Sequence, residues 1–263
     1  MSEAASVSEA IPRPPKLGRI GWSDVGAALR GGLGDLGRAP VYGLAFGLML
    51  AAAGALAIVS VTWLDAGWLA VCIGVVFPLV FPFLTAGLYE VSRRLDAGEP
   101  ISWGVVWAAI WRQRERQMGW MAFVVLFIFW IWIYQVRIVL ALFMGTGASS
   151  DLQRFLTHVL TTSGGLTFLA VGSVVGLILA LILFTSTVIA MPLLFDRDLD
   201  FVTALIVSWQ TVLANKPAML GLGVLLTAAT VAAALPAFLG LILIVPLFGF
   251  ATWRLYARAK VAE

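Results

Sequence analysis

A single arginine, Arg137, stands in FIFWIWIYQVRIVLALF, residues 127–143, a stretch otherwise suited to hydrocarbon. A cation there has two chemistries open to it: it can hold an anionic solute or counter-ion, or carry its charge to the headgroups on a long apolar stem. Measured from Trp120 as an inner interfacial anchor, Arg137 lies about seventeen residues along, or roughly 25 Å at the helical rise. That reach ends at the outer edge of the hydrocarbon, not at its centre. Snorkelling, or an ion pair with Asp65 or Asp151 in the outer turns, is therefore the expectation. Thr185, Ser186 and Thr187 form the second group, one to two turns before Pro192. Their hydroxyls can re-satisfy the carbonyl that a proline frees, bond across helices, or line a polar passage. A third group is basic: Arg93, Arg94, Arg112, Arg114 and Arg116 border apolar runs and suit contact with anionic lipid headgroups.

Other chemistries lack their residues. His158 is the only histidine and Cys72 the only cysteine, so neither a metal site nor a bis-histidine haem can be assembled within one chain. Cys72 lies in an apolar run and is read as packing. Phe155, Leu156, Val159 and Leu160 around His158 predict a short helix on the outer surface, with the imidazole exposed. A hydrolase would need a base beside a nucleophile elbow, and no G-x-S-x-G is present. Gly32, Gly34 and Gly37 spell GxGxxG, but that fingerprint works between a strand and a helix N-terminus with an acid about twenty residues on. Here it falls within an amphipathic helix and is expected to be structural. No enzyme activity, cofactor, metal or nucleic-acid partner is expected.

The elements that must position these residues follow from composition. Of 263 residues, 61% are hydrophobic and 12% charged, with a mean hydropathy of +0.99. A soluble chain carries about 25% charged residues, so this one is read as a membrane protein. Crossing roughly 30 Å of hydrocarbon takes about 20 apolar residues. Six runs are long enough, at approximately 40–63, 67–90, 118–144, 164–195, 217–235 and 237–256.

Charge orients them. With both termini inside, Arg93, Arg94, Arg112, Arg114, Arg116, Arg197, Lys216, Arg254, Arg258 and Lys260 join Arg13, Lys16, Arg19, Arg30 and Arg38 on one side. Only Arg137 and Arg154 of the seventeen basic residues remain outside, which predicts an N-in, C-in topology in a bacterial cytoplasmic membrane. The first 38 residues show no early apolar core of a signal peptide, so cleavage is not expected. Residues 1–20 read as a disordered cytoplasmic tail, 21–258 as one transmembrane domain, and 259–263 as a second tail.

Within that domain one unit recurs at approximately 21–98, 99–197 and 198–258. Each begins with an amphipathic helix, for which Ser23, Ser102 and Asp200 are candidate N-caps. The apolar faces are Trp22, Val25, Leu29, Leu33 and Leu36; then Trp103, Val106, Trp107, Ile110 and Trp111; then Val202, Leu205, Ile206, Trp209, Val212 and Leu213. Such faces suit either the headgroup boundary or the protein's own helix ends. A span out and a span back follow, the return span carrying Pro82, Pro192 or Pro246. GLAFGLMLAAAG, residues 43–54, and the pair Gly172 and Gly176 have the small-residue spacing of close helix packing.

The segment PFLTAGLYEVSRRLDAGEPISW, residues 82–103, is the most distinctive in the chain, and ATWRLYARA closes it. With these motifs the chain resembles the bacterial family of predicted integral membrane proteins called domain of unknown function 2189, over most of its length beyond the tail. The resemblance implies a multi-pass bacterial membrane protein and supplies no catalytic residue. In relatives the closing Thr-Trp pair is flanked by histidines; here those places are Phe250 and Arg254, so no role for such histidines carries over. Physically, GLYEVSRRLDAGEP reads as a helix leaving the bilayer, with Tyr89 at the interface, Glu90, Arg93 and Arg94 in water, and Gly98 and Pro100 ending it. The function expected is a non-catalytic accessory or scaffold that contacts lipid or a larger membrane complex, with an aromatic third span as its contact surface. A small-solute permease with its pathway between the repeats is the alternative. Oligomeric state is left open.

Overall fold

The computed structural model describes residues 15, 17–114, 117–145 and 152–260. The described residues are 86% helix without a named strand. The helices in order are α1 (Trp22–Arg38), α2 (Pro40–Thr62), α3 (Gly67–Ala97), α4 (Trp103–Arg114), α5 (Met118–Met144), α6 (Leu152–Thr161), α7 (Ser163–Thr187), α8 (Ala190–Asp196), α9 (Phe201–Ala214), α10 (Lys216–Ala234) and α11 (Leu241–Ala259). Among the described residues five spans are long and apolar enough to cross a membrane: α2, α5, α7 with α8, α10 and α11. The bent α3 makes a sixth if its two parts form one span. These bounds follow the six apolar runs closely, because a chain that must satisfy every backbone N–H in hydrocarbon has helix as its local solution.

Local chemistry sets the ends and bends. Pro40 opens α2 at its first turn, where a missing N–H breaks no helical bond. Gly98 closes α3 at φ 66°, the left-handed cap expected of it, and its N–H bonds to the Arg94 carbonyl. Asp200 caps α9 by accepting the Thr203 N–H at 2.8 Å. Ser102 sits 3.4 Å from the Val105 N–H as the cap of α4. Ser23 is not the cap of α1: Gly21 holds that place, and its N–H donates to Asp24 at 2.9 Å. The bend in α3, 47° between Gly67–Phe77 and Leu79–Ala97, falls at position 78, itself a proline and one turn before Pro82. The fourth span breaks at Val188 and Ile189, just ahead of Pro192, and Pro246 lies inside α11.

The first and last helices pack together. α1 and α2 both lie on α11, and glycines allow the approach. A Cβ on Gly32 would stand 2.8 Å from the Ala251 nitrogen and the Leu247 carbonyl oxygen; one on Gly43 would meet Phe250 and Pro246 at 3.2 Å. Gly32 belongs to the GxGxxG triplet, and its role is this contact. Close packing by residues 43–54 is thus realised at Gly43 and Gly47, both against α11.

The main core sits where α2, α5 and α10 begin and where α3, α8 and α11 finish, called here the junction end. Residues 17–20, placed by the sequence in a disordered tail, are docked there. Leu17 pairs with Lys260, the Gly18 N–H bonds to the Ala259 carbonyl at 2.8 Å, and the buried Ile20 donates its N–H to Asn215 at 2.9 Å. Ala259, placed in the closing tail, is the buried last residue of α11. The rest of the tail calls, residues 1–14, 16 and 261–263, lie outside the described residues.

The short helices α1, α4 and α9 bury only part of the apolar faces read from sequence, Val25, Leu36, Val106, Ile110 and Val212 among them, and turn the bulkier members outward. Val25, Ala28, Gly32, Asp35 and Leu36 of α1 are buried, as are Val106, Ala109, Ile110 and Gln113 of α4 and Ala204, Val207, Ser208 and Thr211 of α9. Trp22, Leu33, Trp103, Trp107, Trp111, Val202, Ile206, Trp209 and Leu213 are exposed instead. Small and hydrogen-bonding side chains let helices approach and pair, whereas bulky apolar ones gain as much from lipid as from protein.

Candidate functional site

The polar side chains of the bundle converge at the junction end. Asp35, on the buried stripe of α1, has no exposed surface. It accepts Nε and Nη2 of Arg254 at 2.7 and 2.5 Å, the Ser92 hydroxyl at 2.5 Å and Nη2 of Arg38 at 2.6 Å. Nη1 of Arg254 pairs with Asp96. One carboxylate thus ties α1 to α3 and α11, and both of its oxygens are occupied.

Glu90 forms a second cluster one step along α3. Expected in water, it is 1% exposed, and accepts Nε and Nη2 of Arg93 at 2.9 Å and Nε of Arg94 at 2.7 Å. Both arginines also face Glu99, at 3.5 and 3.3 Å, and Arg94 donates to the Pro100 carbonyl at 2.9 Å. The expected i,i+4 pair of Glu90 with Arg94 is present, inside a larger network.

A third clasp joins α8 to the end of α11: Asp196 accepts the Tyr256 hydroxyl at 2.7 Å and the Lys260 ammonium at 2.8 Å. Between the clasps lie four packed rings. Tyr89 stacks on Trp253 at 5.8 Å, Phe195 meets Trp253 edge-on at 5.4 Å, and Tyr256 lies 5.8 Å from Trp253. Tyr89 and Trp253 each come seven positions after the proline of their span, Pro82 and Pro246. The two distinctive motifs therefore pack on each other: Tyr89, Ser92 and Asp96 come from one, Trp253, Arg254 and Tyr256 from the other.

Chemically this site holds helices together. Each buried acid is neutralised by arginine and hydrogen-bonded on its remaining lone pairs, the condition under which a buried charge is tolerated. Asp35 accepts four hydrogen bonds, two on each oxygen, and Glu90 accepts three, all from arginine. Among the described residues no group of three His, Cys, Asp or Glu could hold a metal ion.

The residues singled out from sequence are dispersed. Arg137 is exposed on α5, Asp65 is exposed in the turn between α2 and α3, and no ion pair joins them. Asp151, the other candidate partner, lies outside the described residues. Thr185, Ser186 and Thr187 sit at the break between α7 and α8, where their polar atoms serve neighbours. Ser208 of α9 donates to the Thr185 carbonyl at 2.6 Å and accepts the Ile189 N–H at 3.3 Å. Trp209 donates to the Ser186 hydroxyl at 3.1 Å, and Thr187 donates to the Leu183 carbonyl at 2.8 Å. Arg93 and Arg94 direct their guanidinium groups to Glu90 and Glu99, while Arg112 is exposed. The Arg114 side chain and Arg116 lie outside the described residues. His158 is exposed on α6, a short helix as expected.

Asp35, Ser92, Asp96, Asp196 and Arg254 were not recognised as a site. The signal for Asp35 is its register: positions 25, 28, 32 and 35 share one helical stripe, and an acid on a buried stripe requires a partner. Nothing local in the sequence identifies that partner as Arg254.

The space enclosed by α1, α7, α10 and α11 amounts to about 10 Å³, lined by residues such as Val25, Leu29, Phe184, Leu222 and Phe248.

Residues 69–196 match the model of a family described as predicted integral membrane protein (DUF2189). The match agrees with the resemblance seen in GLYEVSRRLDAGEP and is narrower than the whole chain beyond the tail. It runs from α3 to α8, so it contains Glu90, Ser92, Asp96 and Asp196 and leaves out Asp35 and Arg254. No curated protein and no solved structure matches the chain. The chain is a multi-pass integral membrane protein.

Proposed function

We propose that the protein is a non-catalytic accessory or scaffold of a bacterial cytoplasmic membrane, contacting lipid or a larger membrane complex. One observation carries this reading: the buried acids of the junction end and the hydroxyls at the break of the fourth span are spent on protein partners. Asp35, Glu90, Ser186 and Ser208 all have protein partners, and the space among α1, α7, α10 and α11 is about the size of one water. A permease between the repeats would use Thr185 to Thr187 as its polar lining. At the break in the fourth span, Ser186 and Thr187 instead bond Trp209 and Leu183, and Ser208 holds the Thr185 carbonyl. An enzyme would need an uncommitted acid, base or nucleophile, which this arrangement does not favour.

In this reading the three short helices lie along the cytoplasmic headgroup boundary. Their bundle-facing stripe mixes small and polar side chains with aliphatic ones such as Val25, Leu36 and Ile110, and their outward side carries Trp22, Trp107, Trp111 and Trp209. The recurring order of short helix and two spans is three copies of one unit, with both termini inside. Arg112, Arg114 and Arg116 engage anionic headgroups, whereas Arg93 and Arg94 act mainly on Glu90. The exposed aromatic face of α5, with Trp130 and Trp132, is the contact surface.

The test is extraction of the full chain in native lipid nanodiscs, followed by cross-linking and mass spectrometry. A stoichiometric membrane-protein neighbour cross-linked to α5 is the expected result. Release of entrapped small solutes from liposomes holding the pure protein would overturn it.

A further inference from the structure

We propose that α10 and α11 form a re-entrant hairpin: it enters the bilayer from the cytoplasmic side, turns inside the hydrocarbon and returns without crossing, and outer-leaflet acyl chains cover its turn. Both legs are too short to cross. In α11 the charged layer begins at Arg254, held by Asp35 and Asp96. From Arg254 to Leu241 is thirteen positions, about 20 Å at the helical rise, against roughly 30 Å of hydrocarbon. On α10 the exposed Trp22, a residue type of the membrane interface, packs on Gly221, and from there to Ala234 is again thirteen positions, about 20 Å.

α2 gives the depth of the turn. Gly43 meets Phe250 and Pro246, Gly47 meets Ile242, and Gly54 meets Phe238, where a Cβ would stand 2.6 Å from Cγ of the ring. Phe238 belongs to the turn, and α2 runs on from Gly54 to Thr62, eight positions or about 12 Å, before reaching the connection that carries Asp65. The hairpin stops well short of the level at which its neighbour leaves the membrane.

The chemistry of the turn suits that depth. Residues 217–253 contain no charged side chain and no Asn, Gln or His, whereas the other two outer connections hold Asp65 and, between α5 and α7, Asp151, Gln153 and Arg154. In hydrocarbon a turn must satisfy its own backbone. The N–H groups of Leu235, Phe238, Leu239, Gly240 and Leu241 bond to carbonyls of residues 231–238 at 3.0–3.3 Å, and Pro236 has no N–H to satisfy. Ala237 and Phe238 adopt left-handed φ values of 51° and 66°, which makes the reversal tight. Leu235 and Leu239 are 81% and 61% exposed at its tip, where hydrocarbon covers them at no cost and water would not. This goes beyond the reading above and takes from it only the side of entry. The chain then crosses with α2, α3, α5 and the α7–α8 span, an even number as before, so reporters on the termini cannot distinguish the two arrangements.

The test uses the full-length protein with Cys72→Ser and one cysteine placed by Leu64→Cys, Leu235→Cys or Leu239→Cys, in sealed vesicles of each orientation. A membrane-impermeant maleimide should label Leu64→Cys from one side only. Leu235→Cys and Leu239→Cys should react about ten-fold more slowly from either side, because hydrocarbon disfavours the thiolate that reacts. A bimane attached to Leu239→Cys in detergent before reconstitution should be quenched more by lipid with a mid-chain spin label than by lipid labelled near the headgroup, the reverse of Leu64→Cys. Labelling of Leu235→Cys at the Leu64→Cys rate would overturn the proposal. So would a bimane at position 239 that no lipid quenches, since protein would then cover the turn. The side that labels Leu64→Cys reads the orientation separately, so an inverted molecule would overturn that reading and not the hairpin.

Discussion

At the scale of single residues, Asp35 decides the most. It sits at the centre of the clasp between α1, α3 and α11, and Arg254 supplies two of its four donors. Replacing Asp35 by Ala leaves Arg254 with only Asp96, and breaking one partner of a buried pair costs about 3–5 kcal/mol. The Asp35→Ala protein should therefore melt well below the unmodified one in detergent. A cycle with Arg254→Leu should show strong coupling, and additive losses would mean that the contact carries no stability. Arg254→His tests the same clasp: a single imidazole cannot reproduce the two parallel bonds, so partial loss is expected by the same melt. Asp200 gives a smaller, pH-dependent effect. Hydrogen bonding by Thr203 holds its carboxyl below the ordinary aspartate value, so its cap is complete above that value and is lost as pH falls through the depressed one. Protection from hydrogen exchange at residues 201–206, relative to the intrinsic rate, should fall at that acid edge, and Asp200→Ala should show the lower protection at every pH.

Helices show where sequence periodicity informs and where it misleads. Spans α2, α5, α7, α10 and α11 were legible because about 20 apolar residues in hydrocarbon leave helix as the solution that satisfies the backbone. The short helices were legible in place and length and only partly in facing: Val25, Leu36, Val106, Ile110 and Val212 are buried while the bulkier members of those faces are exposed, since apolar size does not choose between lipid and protein as it chooses between water and core. In α9 the seam is made by Ser208, which mends the break of the fourth span by holding the Thr185 carbonyl and the Ile189 N–H. Ser208→Ala strands both groups at about 1–3 kcal/mol each. Faster hydrogen exchange confined to residues 185–192 is the expected readout, and uniform exchange across α7 would count against this role. On α4, the exposed Trp103, Trp107 and Trp111 should be quenched by brominated lipid in reconstituted vesicles. Fluorescence of a variant retaining only those three tryptophans measures this, and no quenching would place that face against protein.

For the whole molecule, the prediction is topological: reporters fused to the two termini should report the same side of the membrane, and opposite sides would break the proposed orientation. A linear chain closes on itself through α1 and α2 against α11, with Leu17 paired to Lys260. Hydrophobicity summed along the chain determined that it inserts in a membrane and roughly where its apolar helices lie, because transfer to hydrocarbon is a local sum. Close packing at Gly43 and the cap at Gly98 were also readable, since small size and left-handed freedom are properties of one residue. Partnership was decided only by tertiary structure. Asp35 and Arg254 are 219 positions apart, and nothing in either neighbourhood encodes the other. A buried charge states that it needs a counter-charge, and only the folded packing of three helices says which one arrives.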